Sequence, residues 1–421
     1  MDIFTIITIL IVLAAVFGYL NIRFLKLPNT IGLMIISIIF SLFILATGYF
    51  SPELLALESK LVGSIDFEKV LMEGMLCFLL FAGALHVDFR ELKQQQVPII
   101  VFSTFGVVAS ALLVGSIMYG ILSLLGLGVP LIYCFLFGAL ISPTDPIAVL
   151  GILKKANVPK KLETKIVGES LFNDGIGVVV FLTFYEMARM GGGEIHWGEI
   201  GLLFLEEVGG GIALGLALGY VAYQLMKSIE HYEVEVLITL AIVTGGYLLA
   251  SILHFSGPLA MVVAGLMVGH ESFRSSTMSA ETEKYVDKFW ELIDNLLNAI
   301  LFVLIGLEIV VLKLENSYII AGLIAIPVGL LARYASLGLP IWFFNKRLGF
   351  VPHTNLIMTW GGLRGGISIA LALSLTPSMP RDLFLTMTYV IVVFSIVVQG
   401  LTVGGVVKRA LGKDSQGTAA T

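Results

Sequence analysis

Thirteen stretches of this chain are apolar enough to lie in a bilayer, and that leaves few folds open to it. A spanning helix needs about 20 mostly apolar residues. Twelve stretches approach or exceed that length; they lie near 3–25, 29–50, 68–88, 97–126, 131–153, 163–190, 199–226, 233–253, 289–312, 317–345, 354–376 and 383–409. A shorter one, 257–270, falls between the eighth and tenth. Only 13% of the residues are charged, against about 25% in soluble domains. These features define an all-α polytopic membrane protein with 13 transmembrane helices. After Asp2 the chain is apolar at once, with no basic region or small-residue cleavage site. It reads as a first spanning helix rather than a cleaved signal peptide.

Lys and Arg set the orientation. With the N-terminus outside, 18 of the 25 fall on the inner side, five on the outer side (Lys60, Lys69, Arg189, Lys313 and Arg381) and two, Arg333 and Arg364, within spans. Positive residues favour the cytoplasmic side, so the expectation is N-outside and C-inside, in the cell (inner) membrane. Net charge is −5 with no block of like charge, so membrane lipids and not nucleic acid are the expected partners. Cys77 and Cys134 lie in apolar runs and read as buried small hydrophobes. No His/Cys cluster has metal spacing, and no phosphate-binding glycine loop is present.

Thirteen divides as six, one and six. An odd spacer places two six-helix halves in opposite orientations, the inverted repeat of many transporters, whose sites lie where matching helices are broken. The fifth span holds Ser142-Pro143-Thr144-Asp145-Pro146, and two prolines three apart cannot sit in a regular helix. The fifth span of the second half, the twelfth, holds Gly361-Gly362-Leu363-Arg364-Gly365-Gly366, the weakest helical run there. The expected organisation is one membrane domain, 1–412, with 199–226 as linker helix and a short polar tail, 413–421. The polar segment 271–288 reads as a cytoplasmic loop with a short helix.

Between Gly168 and Gly175 two acids, a serine and an asparagine interrupt an apolar span. Ionisable groups at that depth are costly and mark ion or proton paths. Glu169 and Asn173 are four apart, as are Ser170 and Asp174, so all four share a broad helix face. Asp174 can hold a proton or a monovalent cation, and that competition couples the two. With Asn173 neutral, one carboxylate of the pair titrates, which points to one-for-one, electroneutral exchange. Thr144 lies at the break and adds a hydroxyl and a carbonyl, hard oxygens suited to Na⁺ and Li⁺. Asp145 can cap the half-helix starting at Pro146, ligate the ion or pair with an arginine. Arg333 and Arg364 need acids; the working pairing is Glu169 with Arg333 and Asp145 with Arg364, leaving Asp174 as the odd charge. Glu73 in the third span is a candidate for the access path, and Glu308 and Asn298 in the tenth are lesser ones. His86, His254 and His270 sit at span ends and read as interfacial.

These residues resemble the NhaP-type and NHE-type sodium/proton antiporters, in the branch marked by an Asn-Asp pair. Leu140 to Leu150 resembles that family's fifth-helix break, Gly168 to Gly175 its ion-site helix, and Gly361 to Gly365 its twelfth-helix signature; Arg333 matches an arginine of the preceding helix. The resemblance implies a homodimer of thirteen-helix protomers. A core domain, about 97–190 and 317–409, would move in an elevator-like cycle against a dimerisation domain, about 1–96 and 233–312. It implies that Asp174 binds Na⁺ or H⁺ with Ser170 and Thr144 as ligands, and that Asn173 and Glu169 organise the site. No enzyme activity or cofactor is implied. Regulation through a long cytoplasmic tail, as in animal relatives, is not expected. Potassium/proton exchange and a cation channel are the alternatives. An intramembrane aspartyl protease is excluded, because neither Asp145 nor Asp174 follows Gly-x-Gly.

Overall fold

The computed structural model describes residues 3–47, 67–145, 153, 158–189, 197–313, 315–348 and 350–412, and for a few of these, Glu73 among them, the backbone alone. The segment holding Lys60, the pair Lys154 and Lys155, the half-helix expected from Pro146, and the tail 413–421 lie outside the described residues.

The regular secondary structure of the described residues is all helical, apart from one isolated β-bridge. The main helices in chain order are α1 (Ile3–Leu20), α2 (Asn29–Thr47), α3 (Leu76–Leu85), α4 (Val107–Leu124), α5 (Leu131–Leu140), α6 (Lys160–Arg189), α7 (Trp197–Lys227) and α8 (Tyr232–Ile252). They continue as α9 (Gly257–Gly269), α10 (Ala280–Leu307), α11 (Asn316–Leu348), α12 (Thr354–Gly361), α13 (Gly366–Leu373), α14 (Arg381–Phe394) and α15 (Gly400–Gly412). Among the described residues nine helical stretches are long and apolar enough to cross a membrane, and three shorter apolar ones accompany them: Val70–Leu85, Leu131–Leu140 and Gly257–Gly269.

Two breaks interrupt this pattern. The fifth span ends as a helix at Leu140; Ile141 and Ser142 close its last turn on Phe137 O and Ala139 O, and Pro143 to Asp145 run on without helical bonds. The twelfth splits into α12 and α13 around Gly362 to Gly365. Both follow from local chemistry: Pro143 cannot donate to a ladder, and clustered glycines gain least from helix. The breaks then complete each other. Asp145 N–H donates to Leu363 O at 2.8 Å, an antiparallel bridge between the two breaks. In hydrocarbon, freed backbone groups must find partners in protein, and here each interrupted span supplies the other's.

One expectation needs correcting. The tenth helix does not begin near 289 but at Ala280. Ser279 caps it, accepting from Thr282 N–H, and Glu281 and Glu283 complement its N-terminal dipole. Of the polar segment, the short helix is Glu271–Thr277 and the remainder is the start of α10. Pro327 and Pro340 likewise fall inside an uninterrupted α11.

Close backbone approach fixes the packing. Gly211, Gly215 and Gly219, four apart on α7, face α9; a Cβ on Gly215 would stand 2.6 Å from Ala260 O. Small residues at such spacing let membrane helices meet without a hydrophobic driving force. A Cβ on Gly177 of α6 would lie 2.4 Å from the Pro143 ring. The glycine thus lets α6 lie directly against the break.

Candidate ion-binding site

Helix α6 presents Glu169, Ser170, Asn173 and Asp174 to the fifth-span break, all of them buried. Asn173 is the hub. Its Nδ2 donates to Glu169 Oε1 and to Thr144 Oγ1, both at 2.8 Å, and its Oδ1 accepts from Thr144 N–H at 3.2 Å. Ser170 Oγ donates to Thr144 O and lies 3.1 Å from Thr144 Oγ1. So the amide freed by Pro143 is satisfied by one α6 side chain and the Thr144 carbonyl by another. The break is held open and in register without a helical bond.

Glu169 meets a second partner. Arg333 on α11 approaches its two oxygens at 3.1 and 2.8 Å, with both side chains under a tenth exposed. Arg333 Nε donates to Met358 O on α12 at 3.3 Å. Arg364 reaches the carbonyls of the fifth-span break. Its guanidinium donates to Pro143 O at 2.9 Å and to Ser142 O, and its N–H donates to Ser395 Oγ at 2.8 Å. It braces the carbonyl side of the fifth-span break. The Asp145 carboxylate packs on Gly365, where a Cβ would stand 2.9 Å from Oδ2.

Asp174 differs from all of these. Among the described residues none bonds to its carboxylate. It lines a cavity of about 70 Å³ together with Asp145, Pro143, Asn298, Ser368 and apolar side chains such as Leu171. The structure therefore joins Thr144, Glu169, Ser170, Asn173 and Arg333 in one network, braces it with Arg364, and leaves Asp174 facing open space beside it. Glu73 belongs to the turn Val70–Met75, whose neighbours Leu71 and Leu76 line the cavity; its own side chain is outside the described residues. Glu308 is buried in the turn Glu308–Val311, away from that lining. Sequence reasoning missed Ser395 and Ser368. The first caps the Arg364 amide from a wide helical turn, Ser395–Gln399. The only signal for either was a lone hydroxyl in an apolar run.

Among the described residues no cluster of three or more His, Cys, Asp or Glu could hold a resident metal. The oxygens at or beside the cavity are hydroxyls, an amide and the carboxylates of Asp145 and Asp174, hard donors of the kind that suit alkali cations.

An all-helical membrane fold whose two interrupted helices meet at a buried polar site has the architecture of a secondary ion transporter. The chain belongs to the sodium/hydrogen exchanger family, whose transmembrane description matches residues 11–409, and such proteins are transporters, not enzymes. It is 46% identical over 404 residues to the Na⁺/H⁺ antiporter NhaP of Pseudomonas aeruginosa, covering 95% of each chain. To the Na⁺/H⁺ antiporter NhaH of Halobacillus dabanensis it is 34% identical over 396 residues, 92% of this chain and 93% of that one. The structure of the sodium proton antiporter MjNhaP1 from Methanocaldococcus jannaschii at pH 8 matches with a TM-score of 0.76, covering 98% of this chain and all of that one. At 20% identity that likeness concerns the fold alone.

Proposed function

We propose that this protein exchanges Na⁺ or Li⁺ for H⁺, one for one, with Asp174 holding either the cation or the proton. The observation that carries the reading is the contrast between its two buried acids. Glu169 is neutralised by Arg333 and bonded by Asn173, whereas Asp174 faces a cavity with no described bond. A carboxylate buried without a partner is expensive, so it takes a proton or a cation. It cannot hold both, and that exclusion is the coupling.

Thr144 and Ser170 supply oxygens beside Asp174 for a dehydrated cation. Asn173, Glu169, Asp145, Arg333 and Arg364 fix the geometry without changing charge. Na⁺ in and H⁺ out leave the site's charge unchanged, so exchange is electroneutral. The fuller reading has thirteen spans in two inverted six-helix halves, N-terminus outside, in the inner membrane. The protein works as a homodimer, with the core segments carrying Asp174 past a fixed dimerisation domain. Family membership and the relatives' names support the ion identity.

The test is reconstitution in vesicles with an internal pH dye at clamped voltage, titrating Na⁺, Li⁺ and K⁺. A response to Na⁺ and Li⁺ that ignores membrane potential is expected. A response to K⁺ alone overturns the substrate, and a rate that follows the potential overturns electroneutrality.

A further inference from the structure

We propose that Asn298 Oδ1 on α10, with Ser368 Oγ on α13 as its companion, forms a transit site for the partly hydrated cation on its way to Asp174. The inference deepens the exchange reading above and rests on it. Asn298 is 3% exposed and Ser368 1% exposed, and both line the cavity that holds Asp174. Neither oxygen has a hydrogen-bond partner among the described residues.

The direction of the Asn298 amide is fixed by its other end. Nδ2 donates to Asp294 O at 2.8 Å and to Asp294 Oδ1 at 3.0 Å. Two acceptors oblige the NH₂ group to lie there, so the carbonyl oxygen is the atom turned away from them. A buried amide oxygen with no donor costs free energy unless water or an ion meets it. A cation meets it as well as water does.

Sequence position gives the site a direction. Asp287, Glu291, Asp294 and Asn298 are spaced four, three and four apart, one stripe along α10. Asp287, half-buried, is held by Arg274; from Glu291 onward exposure falls, Glu291 being exposed, Asp294 intermediate and Asn298 buried. The next position on the stripe is Leu301, which presses on the start of α13; a Cβ on Gly366 would stand 2.6 Å from its Cδ1. Oxygen-bearing side chains therefore lead in from the Ala280 end of α10 and stop at the cavity. The cavity, about 70 Å³, exceeds the roughly 10–15 Å³ that one water requires, so the ion keeps part of its shell there. A neutral oxygen binds an alkali ion more weakly than a carboxylate does. The ion rests at Asp174 and only passes Asn298.

Asn298 belongs to the fixed domain in the exchange reading, so it serves one face only. The experiment measures the apparent KM for Na⁺ supplied to each face separately, in right-side-out and inside-out vesicles. N298L is expected to raise KM by about tenfold, the loss of one polar ligand, from the face at the Ala280 end of α10. The maximal rate and the opposite-face KM stay near the parent's. D294A, which releases the amide, is expected to give a smaller shift on the same face. An unchanged KM on both faces overturns the proposal, and so does an equal rise on both, which marks a merely structural residue. If N298L does not reach the membrane, N298A is judged by the same criteria. A parent that responds to K⁺ alone overturns the substrate reading. The sided KM is then read with K⁺, and the transit site stands or falls on it independently.

Discussion

Arg333 and Glu169 meet in two hydrogen bonds, at 3.1 and 2.8 Å, across 164 residues of sequence. The same glutamate accepts from Asn173, and the same arginine donates to Met358 O. One ion pair thus ties α6, α11 and α12 together beside the site, and through Asn173 it reaches Thr144 at the opposite break. The pair spends its charge internally, which is what distinguishes Asp174 next to it.

Arg333→Ala is expected to be severe. It strands a carboxylate that is 1% exposed, and breaking a buried pair from one side costs about 3–5 kcal/mol. Expression in the membrane and the detergent melting temperature should both fall. A variant that expresses and melts like the parent contradicts the bracing role.

Gly362→Ala tests the same contact without touching either charge. The glycine has φ −77°, which alanine adopts freely, so backbone strain plays no part. A Cβ there would stand 2.3 Å from Arg333 Nε. The guanidinium must move from Met358 O and from Glu169, and overpacking of this kind costs about 1–3 kcal/mol. A lower melting temperature with Na⁺ affinity impaired is expected; an unchanged melt means that the guanidinium can give way without loss.

Much of this site is legible in sequence because its makers are local. Pro143 and the glycines from Gly361 to Gly366 announce the breaks, and four-residue spacing puts Glu169 beside Asn173. That Arg333 takes Glu169 follows from the scarcity of buried acids. Arg364 was harder. Its target is a pair of carbonyls at the break, of which Ser142 O has a proline at the position that would donate to it in a helix, and which come within reach beside the Asp145–Leu363 bridge. Ser395 depends on one wide turn that shifts the helix face. The start of α10 was hidden for another reason: hydropathy marks where a helix enters the membrane, whereas the Ser279 cap marks where it begins.

Asp174→Asn removes the titrating group while keeping its shape. Exchange should fall to the level of empty vesicles. The melting temperature should hold or rise, because no described bond is lost and an uncompensated buried charge disappears. Residual Na⁺-driven proton movement above background would count against Asp174 as the carrier.

Ser170→Ala withdraws one oxygen from the Thr144 cluster. The apparent KM for Na⁺ should rise by about 3–10-fold, the worth of one polar contact, with the maximal rate changed less. A fall in rate at unchanged KM would place Ser170 in the conformational step and not in cation binding.

Asn173→Asp is the variant in which charge and hydrogen bonding make opposite forecasts. Counting charge alone, a second carboxylate beside Asp174 would carry a second proton and make exchange electrogenic. The hydrogen bonds say otherwise. The Asn173 Nδ2 is a double donor, to Glu169 Oε1 and Thr144 Oγ1, and aspartate has no such group when ionised. It would instead set a negative oxygen against the Glu169 carboxylate at the distance where a 2.8 Å bond stood. The Thr144 hydroxyl would have to rotate to donate, and Glu169 would lean further on Arg333. Lower stability and slower exchange are therefore expected, with no new dependence on membrane potential. Voltage-clamped vesicles together with a detergent melt decide it. A variant that melts like the parent and follows the potential would show that Asn173 matters for its neutrality and not for the bonds it donates.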